Sequence, residues 1–92
     1  MGITKNDIQK ALRIKRCVNE YFQSSVKTMI EAKELMPYFI REGIFDKNHK
    51  DGLPIRDFLR RLEEENHLHL IPQAHYMQKE INKNWYFIKS IK

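Results

Sequence analysis

Ile55, Phe58, Leu59 and Leu62 fall at i, i+3, i+4 and i+7, so they share one face of an α-helix over positions 54–66. The other face carries Arg56, Asp57, Arg60 and Arg61, followed by Glu63, Glu64 and Glu65. After this segment the period changes. Leu68-His69-Leu70-Ile71 is a short apolar run stopped by Pro72, and Trp85-Tyr86-Phe87-Ile88 is an aromatic and β-branched run suited to a pleated, half-buried surface. The polar stretch 73–84 separates the two runs. The pattern predicts a helix followed by two antiparallel strands around a loop.

Upstream, Thr4 can cap a helix with Asp7 three residues on, and neither glycine nor proline interrupts positions 5–23. Ile8, Leu12, Cys17, Val18, Tyr21 and Phe22 form its expected apolar stripe, while Lys5, Lys10, Arg13, Lys15 and Arg16 clothe much of the remainder. At about 1.5 Å per residue this helix spans nearly 30 Å, more than a three-helix core needs. The surplus length suits packing on a second copy, a homodimer through the N-terminal helix. Ser24-Ser25 breaks the pattern, and positions 26–30 read either as a short strand or as a helix start, the strand being preferred. Leu35, Met36, Phe39 and Ile40 predict a second helix over 31–42 that stops at Gly43. Pro37 either kinks that helix or marks its true start. Positions 46–52 are polar and form a loop longer than the tight turn of the simplest helix-turn-helix, which leaves the angle between its helices open. Pro54 sits well in the first turn of the third helix.

The phrase PIRDFLRRLEEENHLHLIP followed by NWYFI resembles the recognition helix and the two wing strands of winged helix-turn-helix proteins, over roughly the last 60 residues. The resemblance implies a single α+β domain over residues 1–92. Its parts are a long N-terminal helix at 4–23, a possible short extra strand, a helix-loop-helix at 31–66 and a wing hairpin at 68–90. It implies binding of double-stranded DNA, as a small transcriptional regulator or an accessory factor of a mobile element or replicon. Arg56, Arg60 and Arg61 then lie on the groove-facing side of the third helix, where arginine donates two hydrogen bonds to guanine or binds phosphate. Lys79 and Lys83, in a wing that also holds His75, Gln78 and Asn84, reach flanking phosphates, with Lys89 and Lys92 following.

Each of these residues also has a plainer role. Arg60 and Arg61 stand four residues before Glu64 and Glu65, spacing that permits pairing along the helix, and wing lysines blunt an exposed strand edge. Trp85 and Phe87 alternate with Tyr86 and Ile88, so one pair packs against Phe58 and Leu62 and no base-stacking ladder is needed. The rival function is a non-catalytic protein-interaction module. A positive stripe joining Arg56, Arg60, Lys79 and Lys83 supports DNA, and a stripe broken by Glu63, Glu64 and Glu80 supports protein.

Composition narrows the remaining classes. The 92 residues carry 17 Lys+Arg against 12 Asp+Glu, a formal charge of +5, and the pI near 9.4 favours an anionic partner. The core of so short a chain is modest. One cysteine, Cys17, excludes an internal disulfide and suits a reducing compartment. No apolar run is long enough to cross a bilayer and the start has no signal-peptide core, so a soluble cytoplasmic protein without a membrane partner is expected. Gly2 formally invites myristoylation, but Asn6 stands where that motif has Ser or Thr. His49, His67, His69 and His75 with Cys17 lack paired zinc-ligand spacing, only His67-x-His69 coming close, and no metal or cofactor is expected. With three glycines, no phosphate loop and acids at 63–65 that fan outwards, no catalytic constellation appears.

Overall fold

The computed structural model describes residues 2–48, 50–79 and 83–89. Helix α1 (Lys5–Gln23) starts at a capping box: the Asp7 N–H donates to Thr4 Oγ1 and the Thr4 N–H donates to the Asp7 carboxylate, both at 3.1 Å. Its buried face is Ala11, Ile14, Val18 and Phe22. The expected stripe ran through Leu12 and Cys17, but Leu12 is 46% exposed. Positions 11, 14, 18 and 22 keep an unbroken i+3/i+4 spacing, whereas the step from Leu12 to Cys17 turns away around the helix.

Strand β1 (Met29–Glu31) is the short extra strand read at positions 26–30, displaced toward the C-terminus. A 3-10 turn, Ala32–Leu35, follows, and α2 (Met36–Arg41) begins only there, with Pro37 in its first turn. In that place the missing N–H of Pro37 removes no intrahelical bond, and α2 begins at Met36, one residue before the proline. Gly43, at φ +76°, ends α2. Its N–H donates to Ile40 O at 3.0 Å and the Ile44 N–H donates to Phe39 O at 2.8 Å, which satisfies two end carbonyls.

Helix α3 (Leu53–Glu64) buries Ile55, Phe58, Leu59 and Leu62, the four residues whose spacing predicted it. Asn66 closes it in a left-handed conformation, φ +62°. Its N–H donates to Glu63 O at 3.1 Å, and the His67 N–H donates to Leu62 O at 2.7 Å. The chain reverses there. In consequence the expected first wing strand at 68–71 is instead a 3-10 turn, Leu68–Leu70, in which the Leu70 and Ile71 N–H groups donate to His67 O and Leu68 O at 3.0 Å. Local bonds of this kind leave no ladder to form, and Ile71 is fully buried.

The hairpin is made by β2 (Ala74–Gln78) and β3 (Lys83–Ile88), so most of the stretch read as loop, 73–84, is strand. β3 pairs with both other strands, giving a three-stranded antiparallel sheet in the order β1-β3-β2. Ile30 and Ala74 flank Phe87, and Tyr76 lies opposite Trp85. Trp85 and Phe87 point inward, as alternation predicts, and Phe87 meets Phe39 edge-on at 6.2 Å between ring centroids. Three helices and this sheet form an α+β domain around one hydrophobic core. No helix among the described residues is long and apolar enough to cross a membrane.

Candidate functional site

The exposed side of α3 stands beside the β2–β3 hairpin, and the cleft between them gathers four of the five candidate residues. Arg56 and Lys83 line both of its depressions; Lys79 and Asn84 lie on one side and Arg60, Gln78 and Trp85 on the other. The fifth candidate, Arg61, turns away. It pairs with Asp7 of α1 and lies over the Phe58 ring, 5.6 Å from its centroid, so it ties α3 to the start of α1.

Arg56 is half-buried. Its Nη2 donates to Lys50 O at 2.9 Å, while its Nε is enclosed with no protein partner. It therefore also anchors the loop before α3, where Lys50, Asp51 and Gly52 all have positive φ, between 50° and 92°. Arg60 is exposed and pairs with Asp57 at 2.9 Å, three residues back, in preference to Glu64. A guanidinium held on one side by a carboxylate keeps its remaining N–H groups free and oriented.

Lys83 opens β3, which differs from the loop position expected for it. Its ammonium lies 2.8 Å from Glu63 Oε1 and 4.4 Å from the Tyr76 ring centroid. The hydrogen bond to Glu63 raises its pKa above the ordinary lysine value. Lys79 follows β2 directly. Glu80, expected as the opposing charge of the wing, and Lys92 lie outside the described residues.

Among the described residues, charge in the cleft is balanced. Lys33, Arg56, Arg60, Lys79 and Lys83 face Glu31, Asp51, Asp57, Glu64 and the Lys83 partner Glu63. The stripe joining Arg56, Arg60, Lys79 and Lys83 is thus interrupted by Glu63 and Glu64. The sequence had suggested pairing at i+4 along α3, and it gave no sign that Lys83 and Asp7 would be the long-range partners of Glu63 and Arg61, because those pairings need the tertiary fold.

His67, just before the 3-10 turn, and His69 within it stack with ring centroids 6.0 Å apart, not along a strand. No group of three or more His, Cys, Asp or Glu able to hold a metal occurs among the described residues; His49 lies outside them. Comparison with protein-family models, with curated proteins and with solved structures gives no match.

Proposed function

We propose that this chain is a winged-helix domain that binds double-stranded DNA, with α3 in the major groove and the β2–β3 hairpin on the adjoining backbone. The observation that carries the reading is the cleft in which Arg56 and Arg60 of α3 stand beside Gln78, Lys79 and Lys83 of the hairpin. The element order agrees with the resemblance read from the sequence: a helix, a strand, two helices and a hairpin, with β3 between β1 and β2. The interruption at Glu63 and Glu64 counts toward the protein module and lowers the phosphate share of the affinity; the DNA reading leans on base edges, which are read by short-range hydrogen bonds. Arginine pairs with guanine, an amide with adenine, and a carboxylate such as Asp57 or Glu64 with the cytosine amino group. One copy is the binding unit in this reading. The homodimer through α1 gains little from the fold, since the exposed side of that helix offers Leu12 amid Lys5, Arg13, Lys15 and Arg16.

A protein-interaction module is the second reading, favoured by the five carboxylates that match the five cations among the described residues of the cleft. Fluorescence anisotropy of a labelled generic duplex at about 50 and 200 mM salt separates the two, because binding to phosphates weakens steeply over that range. Binding at the lower salt that collapses at the higher is expected; no binding at either makes the protein module the leading reading. Arg60→Ala, which breaks no bond to the loop, should then cost about 1–3 kcal/mol of discrimination at one base position.

A further inference from the structure

β2 is an outer strand of the sheet, and one bond fixes which of its backbone groups face outward: the Ile88 N–H donates to Gln73 O at 2.9 Å. In an antiparallel pair, residues that exchange hydrogen bonds alternate with residues that do not. His75 stands opposite Tyr86 and Met77 opposite Asn84, so the bonded positions that follow Gln73 are His75 and Met77. Ala74, Tyr76 and Gln78 therefore turn their N–H and C=O groups to the free edge. The chain itself takes up one of these, since the Ala74 N–H donates to Ile71 O at 2.9 Å. Among the described residues no such bond reaches the outward groups of Tyr76 and Gln78, and the strand is exposed from His75 to Gln78.

Proteins usually blunt an open sheet edge with a charge, a proline or a bulge. β2 reads Ala-His-Tyr-Met-Gln, with neither acid, lysine, arginine nor proline, and Met77 is 58% exposed in it. The other outer strand, β1, has three residues and ends at Glu31. A formal charge of +5 sets copies of this chain against one another in general, but at β2 no like charges have to meet. Antiparallel pairing of two β2 strands about a two-fold axis at Met77 places Tyr76 opposite the partner's Gln78. These two exchange both backbone bonds, and the symmetry repeats the exchange across the axis. The two Met77 side chains then meet at a non-bonded position, where side chains approach most closely. Lys79 falls opposite the partner's His75, not opposite a second lysine. An axis at Tyr76 would instead need the carbonyl of Ala74, which is only 6% exposed.

We propose that the outer edge of β2 binds a second copy of this chain, joining two three-stranded sheets into one continuous antiparallel sheet with Met77 on the two-fold axis. The contact needs nothing from the DNA reading, which assigns its work to side chains of the cleft. So short a strand pair belongs with the small interfaces, under about 1,200 Å², so the dimer is reversible and depends on concentration. Sedimentation velocity of the full chain from about 1 μM to 1 mM should show a monomer passing to a dimer. Met77→Lys sets two ammonium groups against each other at the axis and should abolish the dimer, with circular dichroism melting to confirm the fold. Amide hydrogen exchange locates the contact independently of any variant. The Tyr76 and Gln78 amides should gain protection as concentration rises, while those of His75 and Met77, bonded to β3, stay protected throughout. A monomer at every concentration would overturn the inference. So would a dimer that survives Met77→Lys or leaves the Tyr76 and Gln78 amides unprotected, since the contact would then lie elsewhere, and growth beyond a dimer would overturn the closed two-fold pairing.

Discussion

The Lys83 ammonium lies 2.8 Å from Glu63 Oε1, which ties the hairpin to the helix 20 residues before it. The bond holds the two sides of the cleft together, and it also occupies a cation that the DNA reading assigns to a phosphate. Glu63→Gln releases that charge without removing much bulk. Duplex affinity should rise and the salt slope should steepen by up to about 0.9, the share of one phosphate. Anisotropy titrations at several salt concentrations decide the matter; an unchanged slope would show that Lys83 never reaches the backbone.

Thr4 and Asp7 together form the start of α1, and Asp7 adds an ion pair to Arg61. Thr4→Ala should cost about 0.5–2 kcal/mol, the usual loss of an N-cap. For Asp7 the effect depends on pH. Its hydrogen bonds with Thr4, backbone first, and the nearby Arg61 guanidinium hold its pKa below the ordinary carboxylate value. A depressed folded-state pKa means stability that is fully present above about pH 4, the unfolded value, and lost as pH falls through the lower folded value. Urea unfolding of Asp7→Asn should therefore show a deficit at pH 7 that shrinks toward pH 2. A deficit of constant size would contradict the linkage.

How much of this was legible beforehand depends on how local each signal is. α3 could be read because Ile55, Phe58, Leu59 and Leu62 repeat with the helical period and face one core. The capping residue Thr4 and the stop at Gly43 were equally local. β2 was missed because only Ala74 of its five residues is buried, so an edge strand left no alternation to detect. The apolar run at 68–71 looked like a strand instead, and what overrode it was Asn66, whose left-handed backbone turns the chain before a strand can start. In the cleft, the residue types and their elements were visible, but their pairing was not. Arg61 joins Asp7 across 54 positions, and no pattern along the chain announces such a pair.

Cys17 is half-buried, and burial, with the carboxylates of Glu42 and Glu20 adding to it, raises its pKa from the usual 9.0 to about 11. The thiolate is the reactive form, so a shift of this size lowers its fraction at pH 8 by about a hundredfold. Iodoacetamide should modify the folded chain about ten- to a hundredfold more slowly than the urea-unfolded chain at that pH, because the higher-pKa thiolate is the better nucleophile and offsets part of its lower population. Similar rates in both states would mean that the α1 face around Cys17 opens readily.

Gly52 sets the entry to α3. It has φ +92°, and its N–H donates to Asn48 Oδ1 at 2.7 Å. A Cβ at this position would collide with the Lys33 Cβ and lie 2.9 Å from the Lys33 Cα. Lys33 belongs to the 3-10 turn before α2, so the close approach packs the loop onto that turn and fixes where α3 begins. Gly52→Ala forces a left-handed backbone on a residue that rarely takes it, at about 1–3 kcal/mol, and adds the clash. Unfolding should show a loss of at least that size. Because Arg56 follows within one turn and bonds to Lys50 O, the same change should also reduce duplex affinity under conditions where the variant is still folded. Reduced stability with undiminished binding would show that the loop positions α3 less tightly than these bonds imply.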